Sequence, residues 1–147
     1  MEMYKWDKRF IELAKHISTW SKDKSRQVGA VIVNDEKRIL SVGFNGFPTG
    51  INDEIEERHQ RPAKYKWTEH SERNAIYNAG RHGVILKGAI MYVTLFPCCD
   101  CARAIIQSGI NTLVTKEPNF NDSKYGEDFK TSLEMLNEAK IKIIMYE

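Results

Sequence analysis

Two short segments of this 147-residue chain carry residues that can hold a metal and move protons. One reads Thr68-Glu69-His70-Ser71-Glu72 and the other Pro97-Cys98-Cys99-Asp100-Cys101, each at the start of a helical pattern. Thiolates at i and i+3 share one face of a helical turn, and the N-terminal end of a helix favours their negative charge. With the imidazole of His70 they make three protein ligands. Three ligands leave a fourth tetrahedral position for water, the pattern of a catalytic zinc rather than of a closed structural one. Zinc lowers the pKa of bound water from about 16 toward neutrality, so hydroxide becomes available near pH 7. One catalytic Zn2+ is therefore expected at His70, Cys98 and Cys101.

A proton carrier must accompany such a site, and Glu72 is placed for it. It shares a helix face with Ala75, Ile76 and Ala79, at offsets of three, four and seven. Burial there raises a carboxyl pKa toward the range useful for taking a proton from water and redelivering it. Taken singly, each residue has a plainer reading: Glu72 as a capping acid, His70 as a structural histidine, the cysteine pair as a redox motif or half of a structural zinc site. None of these accounts for the three ligands and the acid together. A closed structural zinc needs a fourth ligand, for which Cys99, His59 and His82 are the available residues. Cys99 lies between the two proposed ligands and points elsewhere on a helix, so it is expected to pack as a small buried residue.

The elements that position these residues follow from periodicity. Trp6, Phe10, Leu13, Ala14, Ile17 and Trp20 recur at helical spacing, and the charged stretch 21–26 ends that pattern, giving an amphipathic helix that lies on the core. Segments 28–33 and 38–44 are β-rich and joined by Asn34, Asp35, Glu36 and Lys37, which suits a hairpin. Residues 45–67 carry Gly46, Pro48, Gly50 and Pro62 among many charges and read as a long functional loop with room for a short helical turn. A helix over 71–82, a strand over 89–95, a helix over 98–108 capped by Gly109 and a strand over 112–116 come next. A polar loop over 118–126, a helix over 127–139 and a strand over 142–146 complete the order α β β α β α β α β. A hairpin followed by strands alternating with helices implies a five-stranded mixed sheet in a three-layer α/β/α fold, within one domain spanning residues 1–147.

Composition narrows the function. With 41% hydrophobic residues the chain can bury a core unaided. Lys and Arg number 22 against 20 acidic residues, and a net charge of +2 gives no field for nucleic acid or an anionic membrane. Any anion site must be local. No apolar run is long enough to span a bilayer, and residues 1–10 alternate charges with aromatics rather than forming a signal segment. Three cysteines within four positions suit a metal site and a reducing, cytoplasmic setting better than a disulfide framework.

At His70-Ser71-Glu72 and Pro97-Cys98-Cys99-Asp100-Cys101 the chain resembles the zinc-dependent cytidine and deoxycytidylate deaminase superfamily, whose signature is H-x-E with P-C-x-x-C. Ser71 stands where the family usually has alanine, another small residue. Gly43-Phe44-Asn45-Gly46-Phe47-Pro48-Thr49-Gly50 resembles the G-[YF]-N-G-x-P-x-G loop of the deoxycytidylate branch. Gln27-Val28-Gly29-Ala30, residues 69–75 and Tyr92-Val93-Thr94 are similar to that branch as well. The resemblance implies a cytidine-deaminase-like fold and hydrolysis of dCMP to dUMP and ammonia, supplying dUMP for thymidylate synthesis. It implies that Asn45 contacts the sugar and helps orient the base, and that Tyr125 reaches the substrate. From the residues alone, Asn45 is equally a turn residue tolerating left-handed backbone, and Tyr125 a half-buried loop aromatic. Members with extra Cys and His hold a second, structural zinc; this chain has no cysteine beyond the three, which argues against one here. The resemblance further implies a homohexamer regulated through a site near the Phe44-Asn45-Gly46 loop, with dCTP activating and dTTP inhibiting.

A nucleoside monophosphate needs an anion site, and Lys22, Lys24, Ser25 and Arg26 form a basic cluster entering the first strand. Arg26 is the choice for phosphate because its fork fits the anion, while Lys22 and Lys24 read as solvated charges ending the first helix. Two other readings stand beside this one. The first is a deaminase of another base, tRNA adenosine or a cytosine nucleoside; the tRNA enzyme would need a strong basic face and the nucleoside enzyme no anion site. The second is a zinc-stabilised nucleotide-binding module in which Glu72 only caps its helix.

Overall fold

The computed structural model describes residues 4–147. Helix α1, Lys5–Ser18, buries the single stripe Phe10, Ile11, Ala14 and Ile17 and leaves its other faces in water. Trp6 and Trp20, grouped with that stripe by their spacing, are 42% and 52% exposed. Trp20 lies beyond the end of the helix, edge-on to Phe44, and Trp6 packs on Phe10. Strands β1, Gly29–Val33, and β2, Ile39–Phe44, form the expected antiparallel hairpin. Its turn is held by Asn34, whose Oδ1 accepts the N–H groups of Glu36 and Arg38, while Lys37 takes a positive φ of 64°.

The long loop after β2 contains two short turns of helix, a 3-10 turn at Glu56–His59 and α2 at Lys64–Trp67. Helix α3 follows at Ser71–Arg81, β3 at Ile90–Val93, α4 at Cys99–Gln107, β4 at Thr112–Lys116, α5 at Gly126–Glu138 and β5 at Lys142–Tyr146. Gly109, with φ of 86°, stops α4 as the sequence predicts.

The sheet order is β2-β1-β3-β4-β5. β1 pairs antiparallel with both β2 and β3, whereas β3, β4 and β5 run parallel. Strand β1 thus sits inside the sheet, which explains why all five of its residues are buried. One face carries α1 on Val31, Val33, Tyr92, Val114 and Ile144. The other face, with Ala30, Ile32, Met91, Val93 and Leu113, is covered by residues of α3, α4 and α5. The crossovers β3-α4-β4 and β4-α5-β5 step in the same direction along the sheet, and a constant crossover hand then puts α4 and α5 on the same side. This is the five-stranded mixed sheet in three layers expected from the sequence. Among the described residues no helix is long and apolar enough to cross a membrane.

Two features of this frame set the relative positions of α3 and α4. The carboxyl end of β3 feeds α4 at the place where the sheet changes from antiparallel to parallel, where α/β sheets open a crevice. Gly43 of β2 lies so close to α3 that a Cβ would collide with the backbone of Ser71 and Ala75. Only glycine lets the first turn of α3 settle against the sheet.

Candidate active site

His70 is the N-cap of α3 and Cys98 the N-cap of α4, both in extended backbone with ψ of 154° and 173°. Neither uses its side chain as a cap, so both side chains are free for another partner. Cys101, one turn into α4, is fully buried. The Nδ1 of His70 stands 3.5 Å from the sulfur of Cys98 and 3.5 Å from that of Cys101, and the three donor atoms lie within 4.8 Å of one another. A tetrahedral zinc with Zn–N and Zn–S bonds of about 2.0 and 2.3 Å separates its N and S donors by roughly 3.5 Å, so this donor set fits the ion.

The residues that would close the coordination shell are engaged elsewhere. Cys99 is half-buried rather than packed away: its N–H donates to Asp128 Oδ2 at 3.0 Å and its thiol to the Asp128 carbonyl at 3.2 Å, which fastens α4 to α5. The His59 ring contacts the Asp53 carbonyl at 2.6 Å and stacks on Phe47. His82 caps the far end of α3. Among the described residues only His70, Cys98 and Cys101 gather as a metal-capable group.

The two thiols ionise as a coupled pair. Cys98, hydrogen-bonded by Cys101 and facing His70, is pushed down to about 4 despite its burial. Cys101 is pushed up by that same bond and by burial. His70 is raised by its contact with Cys98, against the effect of burial. Glu72 is 4% exposed and accepts a 2.7 Å hydrogen bond on Oε1 from the Ser71 hydroxyl. Burial lifts its carboxyl above the ordinary range, and the Ser71 bond only partly opposes this.

Behind the ligands, Arg73 of α3 holds Glu69 through Nε at 2.5 Å and reaches Asp100 of α4 at 3.4 Å. Glu69 in turn accepts the His70 N–H at 3.0 Å.

One cavity is lined by His70, Glu72 and Cys98 together with Arg26, Asn45 and Tyr125. The expected metal, proton-transfer and substrate residues therefore line one cavity, except Cys101, which is fully buried. Arg26 lays its guanidinium over the Tyr125 ring, 5.3 Å from the centroid. Tyr125 is half-buried, at the N-cap of α5, and stacks on Phe129. Asn45 does not have left-handed backbone, which overturns the turn-residue reading: the only non-glycine residues described with positive φ are Lys37 and Lys140. Its amide instead accepts the Val28 N–H and donates to the Arg26 carbonyl, both at 2.8 Å. Lys22 and Lys24 are exposed and paired with Asp53 and Glu56.

The cavity also holds residues that sequence reasoning misses. Leu95, Phe96 and Phe129 give it an apolar wall, and Asp23, Lys64, Tyr65 and Thr68 line it as well. Lys64 is only 8% exposed and pairs with Asp23 at 3.1 Å. Nothing local marks it, because a lysine in a charged loop reads as solvated and its partner lies 41 residues away.

Residues 4–117 match the family model described as the cytidine and deoxycytidylate deaminase zinc-binding region. An uncharacterised deaminase encoded in the luxG 3′ region of Aliivibrio fischeri is 43% identical over 140 residues, covering 95% of this chain and 92% of the relative. The deoxycytidylate deaminase of Mus musculus is 39% identical over 124 residues, 81% of this chain and 68% of the mouse protein. The crystal structure of a dCMP deaminase from cyanophage S-TIM5, in complex with dCMP and dUMP, has the same fold: the TM-score is 0.78 over 99% of this chain and 100% of that one, at 23% identity.

Proposed function

This chain belongs to the cytidine and deoxycytidylate deaminase family, a family of zinc enzymes, and on that premise we propose that it hydrolyses dCMP to dUMP and ammonia. One observation carries the choice of substrate. The cavity that contains the buried acid Glu72 and the ligand His70 also contains Arg26, a cation with no carboxylate in ion-pair range among the described residues. A pocket that must take an uncharged nucleoside gains nothing from an unpaired arginine; one that takes a monophosphate does.

Each residue then has a task. His70, Cys98 and Cys101 would hold the zinc, which supplies a Lewis acid that makes water a nucleophile near neutral pH. Glu72 takes one proton from the attacking water and passes it to the ring nitrogen beside the reacting carbon; it then takes the remaining proton of the added hydroxyl and gives it to the amine, which leaves as ammonia as the C–N bond breaks and the carbonyl forms. Its raised pKa suits both directions of transfer. Val28, Leu95, Phe96 and Phe129 enclose the ring and keep bulk water away from it. Asn45 has one N–H and one lone pair beyond its bonds to the backbone, and these serve the sugar. Arg26, resting on Tyr125, receives the phosphate.

Regulation by dCTP as activator and dTTP as inhibitor, in a homohexamer, belongs to the same reading. It is supported by family likeness and by a second cavity lined by Phe44, Gly46, Phe47 and His59, which shares Asp23, Asn45, Lys64 and Thr68 with the first. Three unpaired thiols agree with a cytoplasmic setting.

The test is ammonia release from dCMP, CMP, deoxycytidine and adenosine by zinc-loaded protein, with and without dCTP or dTTP. Selective turnover of dCMP is the expected result. Activity on deoxycytidine or adenosine in its place would overturn the role given to Arg26, and silence on all four would favour a nucleotide-binding module.

A further inference from the structure

Arg26 is exposed, but its backbone is fixed on both sides and its guanidinium rests on an aromatic ring. Its N–H and that of Ser25 donate to Asp23 Oδ1, at 3.1 and 2.8 Å. Its carbonyl accepts from Asn45, and its guanidinium lies on Tyr125. The Asp23 carboxylate is therefore the acceptor of an Asx turn that sets the direction in which the chain delivers Arg26 to the cavity. That carboxylate is itself fixed. Lys64, from α2 in the long loop, donates to it at 3.1 Å from a site with almost no contact with solvent. Lysine is rarely buried to this degree unless paired, and pairing it with Asp23 costs desolvation that a surface pair would avoid. Both residues line the same cavity as Arg26. The surface lysines Lys22 and Lys24 hold the loop loosely from outside, whereas this pair grips the turn from within the pocket wall.

We propose that Asp23 is a positioning residue for Arg26, with Lys64 as its lock, and that the pair sets the preference of the enzyme for a phosphorylated substrate. This rests on the reading of Arg26 as the phosphate ligand. In this role Asp23 acts by aiming the guanidinium, so its loss weakens dCMP binding and leaves the chemistry at the base unchanged.

Two double variants isolate that role. Asp23→Asn with Lys64→Met removes both buried charges but keeps a side-chain oxygen for the Asx turn. Asp23→Ala with Lys64→Met removes the same charges and the turn. Steady-state kinetics of the zinc-loaded protein with dCMP and deoxycytidine should give the alanine version a KM for dCMP at least about tenfold above that of the asparagine version, because a misplaced guanidinium forfeits a charge-assisted contact. Their kcat values and their KM for deoxycytidine should agree within about twofold. In an Arg26→Ala background the two should have the same KM for dCMP, since nothing remains to be aimed. If either double variant fails to fold, Asp23→Asn and Asp23→Ala with Lys64 intact give the same comparison.

Equal dCMP KM values in the two double variants would overturn the proposal. So would a difference that persists without Arg26, or one that appears equally with deoxycytidine. A parent enzyme with no preference for dCMP over deoxycytidine would instead refute the phosphate role of Arg26, and the positioning role would fall with it.

Discussion

Arg73 on α3 and Asp100 on α4 stand 3.4 Å apart, an ion pair that joins the two helices whose first turns carry His70, Cys98 and Cys101. Arg73 also places a positive charge near the two thiols and holds Glu69, whose carboxylate accepts the His70 N–H. Groups that orient metal ligands in this way typically matter by 10- to 100-fold in metal affinity. Arg73→Met should therefore weaken zinc binding by roughly that factor in a chelator competition. Asp100→Asn should do less, because its carboxylate is exposed and is shared with Arg103. An unchanged zinc affinity in Arg73→Met would show that packing alone sets the ligand spacing.

Glu72→Gln keeps the size of the side chain and an oxygen for the Ser71 hydroxyl, so zinc content and thermal stability should be retained. Turnover should fall by at least about 10²-fold, the usual contribution of a proton-transfer group. Ammonia release at the parent rate would remove Glu72 from the mechanism.

Arg26→Ala should raise the KM for dCMP far more than that for deoxycytidine, by about tenfold or more for the loss of a charge-assisted contact to phosphate. Equal losses on both substrates would make Arg26 a structural residue and assign the phosphate to another group.

Gly43→Ala puts a methyl group into the backbone of Ser71 and Ala75 and must push α3 off β2. Overpacking of this kind costs about 1–3 kcal/mol, a fall of roughly 3–10 °C in Tm for a chain of this size. Since the first turn of α3 bears Glu72, kcat should drop as well. Gly29→Ala, which collides instead with Ala14 and Ser18 of α1 on the opposite face, should lower Tm with much less effect on kcat. A Gly43→Ala enzyme with the parent kcat would show that α3 can shift without moving Glu72 from its reacting position.

The Asp23 carboxyl is held below its ordinary range: burial opposes ionisation, but the N–H groups of Arg26 and Ser25 and the Lys64 ammonium outweigh it. A depressed carboxyl contributes stability that is present above its unfolded value, near pH 4, and is lost as pH falls through the lower folded value. Acid unfolding followed by circular dichroism should thus show a component below about pH 4 in the parent that is missing when Asp23→Asn and Lys64→Met are combined. Identical acid profiles would mean that the ion pair contributes nothing to this part of the curve.

Much of the molecule is legible in its sequence. Strands and helices lie close to their expected bounds because each is marked by local periodicity and by local punctuation such as Asn34 in the hairpin turn and Gly109 after α4. The metal group is legible for a related reason. His70 and Cys98 are N-caps, and Cys101 is one turn inside its helix, so the identity of the site lies in two stretches of a few residues each.

Legibility fails where partners are remote. Trp6 and Trp20 fit the helical spacing of the buried stripe, yet which part of that stripe meets the sheet depends on where α1 ends and how it lies across β1. Asn45 reads as a ligand of the sugar or as a turn residue, and its amide gives one lone pair and one N–H to the backbone of Val28 and Arg26, a tie between loops that the sequence does not show. Cys99 reads as a packing residue and is a tie to α5. Lys64 is one of many charges in the 45–67 loop with nothing local to single it out, and it is paired with Asp23 in the pocket wall. By itself the chain determined the metal-binding chemistry and the set of elements, since both are written in contacts a turn of helix or a strand pair apart. Only the tertiary structure decided which charged groups meet at the cavity and which of them are paired. Burial and pairing between residues 41 positions apart depend on which loops fold over the same cavity, and no local pattern carries that information.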